Sequence, residues 1–140
     1  MSTTAGTVTL RRHVEPQAVV RLPAGADLPS WAASSTLMSV TATSEETSVV
    51  CAAGVVPRKS RHAGPFTAFS VAGPLDLTLT GVLAGLLAPL AGAGISVFTV
   101  STFDTDWILV PAASADAAAE VWADAGHAVE AAGPTTGRTP

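Results

Sequence analysis

Between Leu77 and Phe103 the chain carries no charged residue, yet Gly81, Gly85, Pro89, Gly92 and Gly94 divide that run into pieces. An uninterrupted apolar stretch of this length is enough to span a bilayer. The punctuation, the missing Lys/Arg flanks and the β-branched alternation from Ile95 to Val100 argue instead for a helix followed by a buried strand. No membrane association is expected.

The elements on either side follow from the same patterning. Phe66 to Ala72 alternates as a half-buried strand and Gly73-Pro74 ends it. Val82 to Ala93 is a helix opened at Pro89 and closed by Gly94. Ile95 to Ser101 and Trp107 to Val110 are strands joined by Thr102 to Asp106. Ser114 to Ala125 is an amphipathic helix with Ser114 as N-cap and Asp116 in its first turn, and Gly126 ends it before a short strand over Ala128, Val129 and Glu130. The order β-α-β-β-α-β predicts an α+β, ferredoxin-like unit, an antiparallel sheet with both helices on one face.

Upstream, Val8 to Arg12 and Ala18 to Leu22 read as strands across a turn at Glu15-Pro16, then a Pro/Gly loop leads to Trp31. Leu37 to Thr43 and Thr47 to Ala52 are further strands, and Pro57 to Pro65 is the boundary. A displacement of sixty residues sets Val40 on Val100, Glu46 on Asp106 and Val50 on Val110, which suggests two copies of one module. The expected organisation is a degenerate module over 1–62, a complete one over 63–132 and a disordered tail over 133–140.

A net charge of −4 with no basic stripe removes the electrostatic attraction that nucleic-acid binding needs. Every Lys and Arg except Arg138 lies at or before Arg61, and the cluster Arg58, Lys59, Arg61 reads as a solvated loop or, less simply, an anion contact. The N-terminus lacks a positive segment followed by an apolar one, so a cytoplasmic protein is the default expectation. Cys51, in a Val-Val-Cys context, reads as a core residue.

No catalytic constellation stands out. His13, His62 and His127 have no metal-ligand spacing, and His127 reads as a helix-end cap. Asp104 and Asp106 share a tight turn, where carboxylates are ordinarily just solvated. Thr80, Gly81 and Val82 sit where a strand-to-helix loop presents backbone N–H groups to an anion such as a carboxylate. Thr102, Phe103 and Asp106 then offer a hydroxyl, an apolar wall and an acceptor for an ammonium group. The competing reading makes Gly81 a plain turn residue and Asp106 a strand-end charge.

The run from Gly73 to Gly81, then Pro89 to Ala91, Gly94 to Phe98 and Ser101 to Val110, resembles the ACT-domain proteins related to the cytosolic arginine sensor CASTOR. Val20 to Leu22, Leu28 to Ala32 and Glu46 to Cys51 fit the same bacterial relatives. The resemblance implies tandem ACT modules of ferredoxin-like fold that bind an amino acid at an interface between modules. By it, Gly81 and Val82 match the loop meeting the ligand, and Thr102, Phe103 and Asp106 the turn beside it. Leu79 stands where the arginine sensor carries an acid facing the ligand's cationic tail, so the likeness does not extend to arginine. The expectation is a non-catalytic regulatory module, without cofactor or metal, that forms a homo-oligomer. The alternative is a structural interaction module with no small-molecule ligand.

Overall fold

The computed structural model describes residues 6–73, 75 and 80–133 of the 140-residue chain. The elements run β1 (Thr9–Arg12), β2 (Gln17–Pro23), β3 (Ser39–Ala42), β4 (Glu46–Ala52), β5 (His62–Val71), α1 (Val82–Gly92), β6 (Phe98–Ser101), β7 (Asp106–Pro111), α2 (Ala115–Asp124) and β8 (Ala128–Ala131). Ten residues long, β5 is the strand that both halves share. One edge of it takes β1 and β2, both antiparallel, with Leu10 opposite Val71 and Val20 opposite His62. Its other edge takes β7, and β6 follows as the outer strand.

The second half keeps the expected element order, but its sheet is not self-contained. β8 pairs in parallel with β1 rather than with β5, so β1 is interposed between the two. Leu10 explains the insertion: it is fully buried in the core beneath the helices, together with Phe69, Val71 and Ile108. The first half departs further from a repeat. Among the described residues it has no α-helix, only β3, β4 and β2 side by side and leaning on β5. Its long connection is instead a loop broken by Pro23, Gly25 and Pro29, which cannot sustain helical hydrogen bonding.

Both helices bury one face against the same side of the sheet. α1 contributes Val82, Leu86 and Leu90, spaced four residues apart, and α2 contributes Ala115, Ala118 and Trp122. Pro89 lies inside α1 without interrupting it. The carbonyl that its missing N–H leaves without a helical partner belongs to Gly85, which is exposed and so accessible to solvent rather than stranded in the core. At the far end Gly94 adopts φ 74° and the Ile95 N–H returns to the Leu90 carbonyl at 2.9 Å. That closure uses up the residues expected to begin the next strand, so β6 starts at Phe98 rather than Ile95.

On the face opposite the helices Leu37, Val50, Ala68 and Leu109 form a second core, while Val20, Val49 and Cys51, which alternate with Val19 and Val50 along β2 and β4, form a third on the other side of the sheet. Burial, then the Glu15 charge, pushes the Cys51 thiol up, in keeping with an inert core residue. No helix among the described residues is long and apolar enough to cross a membrane. β5 ends at Val71, just before Gly73, whereas Pro74 and residues 76–79, like residues 134–140, lie outside the described residues, so the Leu79 comparison and most of the expected tail are not addressed by the structure.

Candidate functional site

The β6–β7 connection is a tight turn closed on itself. Thr102 N–H donates to the Thr105 carbonyl at 2.8 Å, Thr102 Oγ1 donates to the same oxygen at 3.0 Å, and Thr105 N–H donates to Thr102 Oγ1 at 3.2 Å. Two further bonds dock this turn on the connection leading to α1. Thr105 Oγ1 donates to the Val71 carbonyl at 2.7 Å, and Leu75 N–H donates to the Asp104 carbonyl at 2.7 Å. Gly73 permits the approach, since a Cβ there would meet the Asp104 carbonyl oxygen at 3.2 Å.

This docking brings the start of α1 beside the start of β7. A cavity of about 320 Å³ lies between them, lined by Leu75, Gly81 to Ala84, Ser101, Thr102 and Asp104 to Asp106. Gly81 is the N-cap of α1 at φ 83°, a left-handed conformation suited to glycine, and with no side chain of its own it supplies no cap to the helix. The first N–H groups of a helix have no partner within it, and they carry the positive end of its dipole. Asp106 faces the same space, oriented by a 2.7 Å hydrogen bond from Ser101 Oγ. No Lys or Arg lines the cavity among the described residues. It therefore has one end that suits a carboxylate and another that suits an ammonium group.

Of the residues singled out from sequence, Gly81, Val82, Thr102 and Asp106 line this cavity together. Thr80 is exposed, and Phe103 is 81% exposed; neither is part of the lining. Sequence reasoning missed Ser101 and Leu75. Ser101 was legible in principle as the cross-strand partner of Asp106, whereas Leu75 joins through a backbone bond that no residue pattern announces.

Elsewhere the histidines have structural partners. His127 does not cap its helix with its side chain: Nδ1 accepts the Val8 N–H at 3.1 Å and so ties β1 to the end of α2. His13 stacks on Trp107 with ring centroids 4.7 Å apart, and its Nε2 lies 2.8 Å from Ser70 Oγ. Among the described residues no three His, Cys, Asp or Glu side chains gather as metal ligands.

Residues 63–122 match the ACT domain family, and residues 15–59 match a separate family of N-terminal domains. The crystal structure of protein Atu0741 from Agobacterium tumefaciens is 32% identical, with a TM-score of 0.83 over 89% of this chain and 93% of that one. The chain belongs to one family with Atu0741 and carries an ACT domain. This ACT-domain chain also shares its fold with the Vibrio cholerae protein VC0802, of unknown function and described as a possible transport protein, at 16% identity and TM-score 0.70 over 85% of this chain and 90% of that one. The regulatory subunit of aspartate kinase from Thermus flavus is 12% identical with a TM-score of 0.59, covering 87% of this chain and 99% of the subunit. Those two likenesses are of fold alone. No functionally curated protein matches the chain.

Proposed function

We propose that the chain is a non-catalytic regulatory module whose ACT domain binds a free amino acid or similar small metabolite in the cleft at the start of α1. The observation that carries this reading is the shared cavity: the first turn of α1, with the positive end of the helix dipole, and Asp106 line one space of about 320 Å³. That volume suits a ligand of amino-acid size. The carboxylate is held by backbone donors around Gly81 and Val82, and the ammonium group by Asp106. A regulatory role is supported by the fold shared with an aspartate kinase regulatory subunit.

The cleft is one wall of an ACT–ACT interface in a cytoplasmic homo-oligomer, the facing wall coming from the ACT domain of a second copy. Phe103, 81% exposed at the turn beside the cleft, and Thr80 then become ligand or module contacts when a second surface closes over. Within the CASTOR-like resemblance, Leu79 sets the ligand apart from arginine. No cofactor takes part.

Calorimetric titration with the common amino acids tests the reading. Saturable binding by at least one, abolished in Asp106→Ala, supports it; silence across the whole set overturns it. The second reading, an interaction module without a metabolite, is favoured by exposed Phe98 on the outer strand β6 and exposed Val40 on β3. Self-association unaffected by any amino acid, together with calorimetric silence, is its expected signature.

A further inference from the structure

We infer that the protein has a second small-molecule site, selective for a monocarboxylate, in the cleft where β2, β4, β5 and β6 converge. Two of the cations near the N-terminus are neutralised: Arg12 meets Asp116 at 2.7 Å and Arg11 meets Glu130 at 3.8 Å. Arg21 and Arg61 have no carboxylate within ion-pair distance among the described residues, although the chain contains 11 Asp and Glu. They are nonetheless neighbours, because the Arg21 N–H donates to the Arg61 carbonyl at 2.9 Å. Like charges on adjacent strands repel, so the pair gains from an anion bound between them.

A cavity of about 330 Å³ opens beside this pair and is lined by both arginines, His62, Ser48, Glu46 and Phe98. His62 Nδ1 donates to the Ser60 carbonyl at 2.7 Å, which fixes its ring at the rim. Ser48 stands opposite Arg21 in the β2–β4 register and adds a hydroxyl. Phe98 enters from the other half of the chain as an apolar wall. The ligand chemistry follows from this lining. A carboxylate bridges the guanidinium groups, an apolar body lies against Phe98, and the Glu46 carboxylate repels a second negative charge. This site shares no lining residue with the cleft at Asp106 and does not depend on the amino-acid reading.

Benzoate is the probe, with benzamide as its uncharged counterpart and inorganic phosphate as a multiply charged competitor. Titration of the intact protein, followed by backbone amide shifts, is expected to perturb Ser48, His62 and Phe98. Arg21→Gln and Arg61→Gln, both on exposed side chains, are each expected to weaken benzoate about tenfold or more, the effect of removing a charge-assisted hydrogen bond. Asp106→Ala is expected to leave benzoate binding unchanged, which separates this test from that of the first cleft. The inference is overturned if benzoate leaves those amides unmoved, if both arginine variants bind it as the parent does, or if benzamide binds equally well. Displacement of benzoate by an equal concentration of phosphate overturns it too, by showing an unselective anion surface.

Discussion

Trp122 Nε1 donates a 2.9 Å hydrogen bond to the carbonyl of Leu86, joining the last turn of α2 to the middle of α1 inside the core. The indole is fully buried and meets Phe69 edge to face at 4.9 Å between centroids, so the same side chain also anchors both helices to the central strand. The helix whose first turn lines the cleft is thereby fixed from below.

Trp122→Ala is expected to lower the unfolding free energy by about 3–5 kcal/mol, the usual range for emptying an aromatic site in a core. Trp122→Phe keeps most of the ring but leaves the Leu86 carbonyl without its indole donor, at a cost of about 1–3 kcal/mol. Urea unfolding followed by circular dichroism gives both values, and a smaller loss for Ala than for Phe would contradict this account.

Stability is expected to fall on acidification in two separate windows. Burial alone would raise the Glu15 carboxyl, but hydrogen bonds from Ser34, Ser35 and Gln17 outweigh it and hold the group below the usual range. With its folded pKa depressed, Glu15 stabilises the fold above its ordinary pKa, and that contribution is lost as pH falls through the folded value. Burial, and then the charge of Arg11, lowers His13. The unfolded state therefore binds this proton first, and stability declines as pH drops from the ordinary histidine pKa of about 6.5 towards the lower folded value. Urea midpoints across pH should show the upper step vanish in His13→Gln and the lower step vanish in Glu15→Gln. Glu15→Gln should also be the less stable variant at neutral pH, because the carboxylate clamps Ser34 and Ser35 at 2.8 Å and with them the loop that inserts Leu37 into the core.

Thr47 is 2% exposed and its hydroxyl has no hydrogen-bond partner among the described residues. A buried hydroxyl without a partner is a net cost, and valine has nearly the same shape and suits a strand. Thr47→Val is expected to raise the unfolding free energy by about 1 kcal/mol. A lower thermal midpoint for the variant would show that the hydroxyl is satisfied after all.

Gly81 occupies φ 83° at the helix start, where a Cβ is strained by about 1 kcal/mol or more. Gly81→Ala should therefore lose a little stability. It should lose far more amino-acid affinity, because the added methyl enters the cavity lining at the carboxylate end. Parallel unfolding and calorimetry on this variant separate the two effects, and undiminished affinity would count against that end of the cleft.

Local chemistry made much of the second half readable. The glycines at 81, 94 and 126 all have positive φ, and each bounds a helix where the residue pattern had placed the boundary. Val82, Leu86 and Leu90 repeat at helical spacing, and Ile108 and Val110 alternate towards the helices while Leu109 faces the other core. Such periodicities are properties of a few neighbouring residues, so sequence carries them. The pairing of Thr9–Arg12 with both β5 and β8, and the docking of Leu75 on Asp104, depend on backbone groups brought together across about sixty and more than a hundred residues in the first case and about thirty in the second. Backbone donors and acceptors are the same at every position, so no residue type marks which will meet. Sequence alone determined the order of the helices and strands in the second half, though not where β5 and β6 begin, and named Gly81, Val82, Thr102 and Asp106 as companions. Tertiary structure decided that they share one cavity, that Thr80 and Phe103 stand outside it, and that the first half is a set of strands completed by β5 rather than a second copy of the same module.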